Sequence, residues 1–122
     1  MNARPPTPED NEGQQALDRL RGQLDAVDDR ICNGIAARFA LTREIGVTKK
    51  RWGFPMMAPE RITAVQTRVA SFARSQGVPV ETVSTIFSLL IADACHLEDA
   101  IIAKEAQTDI ATGGVAGANA HR

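Results

Sequence analysis

Residues 17–52 read LDRLRGQLDAVDDRICNGIAARFALTREIGVTKKRW. Leu17, Leu20, Leu24, Val27, Ile31, Gly34, Arg38, Leu41, Ile45, Thr48 and Trp52 recur at alternating spacings of three and four. This is the a/d pattern of a heptad, held over about five repeats, and no proline interrupts it. One helix over residues 15–51 has roughly 37 residues and a length of roughly 55 Å at about 1.5 Å per residue. A compact domain of about 100 residues has a radius of gyration near 13 Å. The rest of so short a chain cannot cover such a helix, so the pattern predicts a second subunit as its partner.

Beyond the long helix, WGFPMMAP (residues 52–59) holds a glycine and two prolines and breaks it. A second helix is expected from Pro59, with proline in the first turn. Its stripe is Ile62, Val65, Val69 and Phe72, and Gly77 stops it. A third is expected from about Pro79 to Lys104, with Val83, Phe87, Leu90, Ile91, Ala94, Leu97 and Ile101 as its apolar stripe. Nothing alternates with period two. The fold class read from these patterns is all-α, with one long and two shorter helices. Residues 1–14 hold three prolines and few apolar side chains and are expected to be a disordered leader. Residues 105–122 are small and polar and are expected to be a flexible tail. The working domain is then 15–104.

Composition narrows the function classes. The chain of 122 residues is 43% hydrophobic and 24% charged, with a formal net charge of −1, as in an ordinary globular domain. It has no basic excess for nucleic acid and no apolar run near the ~18 residues of a membrane span. No secretory signal is visible. Cys32 and Cys95 show no metal-binding or redox spacing, so a reduced, cytoplasmic setting is expected, with no metal.

Several polar residues stand where packing alone would not put them. Arg38 occupies a seam position of the long helix, and an unpaired guanidinium there is costly. Lys49 is eleven residues on. Eleven steps of ~100° end about 20° past three full turns, so both cations share a face about 16 Å apart along the axis. They could close on an anion between them. Arg21 lies about 100° around the helix and roughly 25 Å from Arg38; in an antiparallel dimer it could reach the partner's site. Glu98 borders the apolar stripe of the third helix, and Glu60 opens the second. Together they suggest a cationic pocket with one or two carboxyl groups, suited to a small dicarboxylate. Each residue also has a plain structural reading. Arg38 could set register or snorkel, and Lys49 could end a helix favourably. Glu60 could balance a helix dipole, and Glu98 could pair with a nearby cation. His96 falls on the polar side of its helix and is expected at the surface. Cys95 is expected buried, and Met56 and Met57 to plug or lid a pocket or, as the plainer reading, to pack into the core.

The combination LRGQLDAVD (residues 20–28), Arg38 ten residues later, Lys49 eleven further, APER (residues 58–61) and FSLLIADACHLEDAII (residues 87–102) resembles the all-helical class of chorismate mutases. The likeness spans residues 17–102. It implies an intertwined homodimer whose long first helices pair across the two-fold axis. It implies a Claisen rearrangement of an enol-pyruvyl ether dicarboxylate, with no cofactor and no covalent intermediate. By position, Arg38 would hold a substrate carboxylate, and Lys49 a carboxylate and the ether oxygen. Arg21 would be donated to the partner's site. Glu60 would meet the substituent of the ring, and Glu98 would donate to the ether oxygen.

Three departures bear on the substrate. Many members have glutamine where this chain has Glu98. A carboxylate would repel the charge that grows on the ether oxygen, so Glu98 is expected to hold a proton and activity to fall as pH rises. Pro59 replaces an arginine common before the glutamate, and a loop acid common in the family aligns near Met56. The segments GFPMMAPER (residues 53–61) and CHLED (residues 95–99) resemble a narrower group, the 4-amino-4-deoxychorismate mutases of antibiotic pathways, which lead to 4-aminophenylalanine. Their substrate carries an amine in place of the ring hydroxyl, which would suit Glu60. Ordinary chorismate mutase is the alternative reading. Isochorismate pyruvate lyase, which shares the fold, and a non-catalytic helical dimer module are further ones.

Overall fold

The computed structural model describes residues 4–111, with side chains described up to residue 103. Three helices follow one another, α1 (Pro8–Trp52), α2 (Pro59–Gln76) and α3 (Val80–Ala111), and the described residues contain no strand. The chain divides into two compact units, residues 1–38 and 39–122.

In the first unit, α1 begins at Pro8, ahead of the start expected near residue 15. The reason is a polar cap that an apolar pattern cannot register. The Asp10 N–H donates to Thr7 Oγ1 at 3.1 Å, and the Thr7 N–H donates to the Asp10 carboxylate at 3.0 Å. This is a reciprocal capping box with aspartate in the acidic role, and Pro8 fills the first helical position. Arg4 donates twice to the same carboxylate, at 2.7 and 3.1 Å. The Arg4 bonds first, and then those of Thr7, hold the Asp10 carboxyl below its ordinary value. Along this unit the heptad stripe is bare: Leu20, Leu24 and Ile31 are 55%, 58% and 55% exposed.

The second unit holds the end of α1 with α2 and α3. Both α1 and α2 stop at a glycine in the left-handed region, Gly53 at φ 74° and Gly77 at φ 69°. At each stop the amide beyond the glycine bonds back into the last turn. Phe54 N–H reaches the Lys49 carbonyl at 2.8 Å, and Val78 N–H reaches that of Ala73 at 2.9 Å. These bonds satisfy carbonyls the helix would leave open, and only glycine adopts such a φ without strain.

Helices α2 and α3 pack on each other, and Val65, Val69 and Ala73 form the buried apolar centre. Here the structure corrects the expected stripe. Phe72 is 59% exposed, while Ala73 is fully buried. Residues 65, 69 and 73 follow every fourth position along one ridge, and a small side chain at its end lets the helices close. On α3 the expected residues Val83, Phe87, Leu90, Ile91, Ala94, Leu97 and Ile101 are all half-buried. That helix continues to Ala111, past the expected end near Lys104. His96 is exposed as expected, whereas Cys95 is only half-buried.

Candidate functional site

The second unit brings two of the singled-out residues together. Lys49 lies in the last turn of α1, and its Nζ donates to Glu98 Oε1 of α3 at 3.1 Å and to the Met56 carbonyl at 2.7 Å. Both side chains are largely withdrawn from solvent, at 20% exposure for Lys49 and 11% for Glu98. An ion pair so placed is screened less than one at the surface.

Lys49 is fixed at both ends. Its carbonyl receives the Phe54 N–H, and its ammonium holds the carbonyl of Met56. The loop after α1 is thereby strung on one residue. Of the basic residues ending α1, Arg51 instead stacks over the Trp52 ring at 5.4 Å, a cation–π contact.

Where α1 lies against the backbone of Glu98 it presents a glycine, Gly46. Thr42 and Gly46 are the buried residues of α1. A β-carbon placed on Gly46 would stand 2.7 Å from Ile101 Cδ1 and 3.4 Å from Glu98 Cγ. The missing side chain lets α3 lie close and bring the carboxyl to Lys49.

Chemically, an ammonium has three N–H donors, and two of those on Lys49 are engaged by Met56 and Glu98. The third can serve an incoming anion or a developing negative charge. Glu98 can act as a carboxylate partner or, with a proton, as a second donor. Among the described residues no group of His, Cys, Asp and Glu is arranged to hold a metal ion. No helix among them is long and apolar enough to cross a membrane.

Glu60 is exposed in the first turn of α2. Arg21 is exposed and Arg38 half-buried on α1, both within the first unit. Met57 is 60% exposed rather than packed in the core. The role of the Met56 carbonyl was not readable, because a backbone acceptor leaves no mark on residue type. Gly46 could have been noticed: a glycine inside a strong helical pattern carries a cost and signals a close approach.

An all-α chain with a withdrawn lysine–glutamate pair where two helices meet is equipped to bind a small anion and stabilise charge. Comparison with known proteins makes the class definite. The family model for chorismate mutase type II matches residues 20–99. A 4-amino-4-deoxychorismate mutase of Streptomyces venezuelae is 33% identical over 95 residues, covering 78% of this chain and 92% of that protein. A 4-amino-4-deoxychorismate mutase of Streptomyces pristinaespiralis is 33% identical over 101 residues, covering 83% of this chain and 78% of that one. A chorismate mutase of Methanocaldococcus jannaschii is 27% identical over 77 residues, covering 63% of this chain and 78% of its own. No solved structure matches significantly.

The chain belongs to the type II chorismate mutase family. It is an isomerase acting on a small molecule, and its all-α architecture is the family's own.

Proposed function

We propose that this enzyme converts 4-amino-4-deoxychorismate to 4-amino-4-deoxyprephenate, a step toward 4-aminophenylalanine and antibiotic precursors, in the cytoplasm. The observation that carries the choice of substrate is the likeness to two 4-amino-4-deoxychorismate mutases over most of the chain. An acid at the start of α2, Glu60, suits an ammonium on the ring. Pro59 beside it leaves out a cation that such an ammonium would repel.

In this reading residues 15–104 form the catalytic domain. Two chains pair along the α1 seam, and the exposure of Leu20, Leu24 and Ile31 supports that pairing. Arg38 and Lys49 of one chain and Arg21 of the other clamp the two substrate carboxylates. The clamps hold the flexible ether in its folded, reactive conformer, which removes much of the entropic barrier. The C–O bond then breaks ahead of C–C bond formation, and negative charge grows on the ether oxygen. Lys49 shares its remaining N–H between the carboxylate it holds and that oxygen. Glu98, carrying a proton, donates from the other side. Both bonds are stronger in the transition state than in the ground state, which is what accelerates the step. No group from outside the protein takes part.

The test is a steady-state assay of the purified protein with 4-amino-4-deoxychorismate, chorismate and isochorismate in separate reactions, with products identified by mass. The expected result is a higher kcat/KM for the amino compound, by about tenfold or more, the scale of one matched charge contact worth about 1.4 kcal/mol. Preference for chorismate would make the chain an ordinary chorismate mutase, a reading favoured by the Methanocaldococcus relative. Release of pyruvate from isochorismate would mark a lyase, and turnover of none would return the helical module.

A further inference from the structure

We propose that Gly46 is a positioning residue: its missing side chain sets the reach of Glu98 to Lys49. The inference rests on the reading above, in which those two side chains touch the ether oxygen. Glycine is among the least favourable residues inside a helix, and Gly46 lies well inside α1. Its backbone does not call for glycine, since the positive φ values belong to Gly53 and Gly77. Space does. A β-carbon there would meet Ile101 Cδ1 at 2.7 Å, Glu98 Cγ at 3.4 Å and Glu98 Cα at 3.8 Å. The same atom on Gly13, Gly22 or Gly34 of α1 would meet nothing within 4 Å.

Gly46 and Lys49 are three residues apart on α1, and Glu98 and Ile101 three apart on α3. Residues at that spacing share a helix face. The two faces meet at Gly46, and from that meeting point the Glu98 side chain runs to Lys49 Nζ at 3.1 Å. That distance has little slack. An outward shift of α3 by about 1 Å takes the pair out of hydrogen-bond range. It would also move the acid away from the substrate oxygen, where such a misplacement costs up to about a hundredfold in rate. An alanine meets chiefly the end of the Ile101 side chain, which can turn aside in part. A valine adds two further carbons at the same close approach and is not absorbed in that way.

The test uses Gly46→Ala, Gly46→Val, Ile101→Val and Glu98→Ala, with kcat measured beside the melting temperature on whichever substrate the wild type turns over. Gly46→Ala is expected to lower kcat by about fivefold and Gly46→Val by about a hundredfold, the scale of a small displacement in an active site. Ile101→Val deletes the one carbon of closest approach. By itself it leaves turnover near wild type, and combined with Gly46→Ala it restores kcat to within about twofold, as expected of two coupled neighbours. In a Glu98→Ala background Gly46→Ala has no further effect on kcat.

Folded Gly46 variants with wild-type kcat would overturn the proposal. So would a loss that persists undiminished in the Glu98→Ala background, because Gly46 would then act through something else. The two levels separate cleanly. If Glu98→Ala is itself fully active, the reading of Glu98 has failed and takes this proposal with it. If Glu98→Ala is impaired while both Gly46 variants are not, only the role of Gly46 falls.

Discussion

Replacing Lys49 with methionine is expected to lower kcat/KM by about a thousandfold or more, the largest effect of any single substitution at the site. Methionine keeps the length and apolar stem of lysine and deletes only the ammonium. In the proposed mechanism three jobs end with it. The ether oxygen loses its cationic donor, a contact whose removal costs about 3–4 kcal/mol where it acts mainly on the transition state. A substrate carboxylate loses a clamp. The loop loses the bond from Nζ to the Met56 carbonyl. Stability should change less than activity. Glu98 is left withdrawn from solvent without its cation, and the variant is expected to lose about 1–3 kcal/mol. Circular dichroism and thermal melting check that the helices survive, and single-turnover kinetics check the rate. A folded Lys49→Met enzyme within tenfold of wild type would mean that the withdrawn ion pair is only structural.

The second large effect is expected from mixing two inactive enzymes. Arg21→Ala and Arg38→Ala should each lower kcat/KM by about a hundredfold or more, because in the proposed site each removes a charged contact to a carboxylate. If Arg21 serves the site of the partner subunit, the two lesions fall in different sites of a mixed dimer. One site then carries both substitutions and the other carries neither. Random pairing of equal amounts gives half mixed dimers, so about a quarter of the wild-type activity should return. The chains must be coexpressed or refolded together, since an intertwined pair exchanges slowly. Activity no greater than that of the parents would place Arg21 in the same site as Arg38, or outside both. Analytical ultracentrifugation of the mixture would show whether a dimer is present at all.

The helices were legible because their signals are repetitive. The heptads of α1, the proline at the start of α2 and the glycine at its end each act locally and survive in the order of residues. What escaped depended on single polar contacts or on how closely two helices approach. Thr7-Pro8-Glu9-Asp10 is a helix-start signature, yet it sits in a stretch with few apolar residues, so the leader reading absorbed it. Phe72 and Ala73 both fit a helical stripe. Only the approach of α3 decides that the alanine faces inward, and a single sequence does not hold that distance. At the site, Lys49 and Glu98 stood out as charges near apolar faces, and the structure joins them at 3.1 Å. Their partner at Met56 is a carbonyl, common to every residue and therefore invisible. Arg21, Arg38 and Glu60 came from helical geometry and family likeness. Their part in the proposed site rests on the proposed substrate and the proposed second subunit.

The measurement closest to the central claim is the pH dependence of kcat in the wild type and in Glu98→Gln. Glu98 Oε1 stands 3.1 Å from Lys49 Nζ, and in the proposed step Glu98 donates a hydrogen bond to the ether oxygen, which only a carboxyl that bears a proton can do. A donor that works only with its proton makes activity fall as pH rises, and that fall is the expected wild-type result. Glutamine donates from a neutral amide at every pH, so Glu98→Gln should stay active with a flat profile over the same range. An active Glu98→Gln enzyme that keeps the wild-type slope would contradict the account, because the proton that matters would then belong to another group.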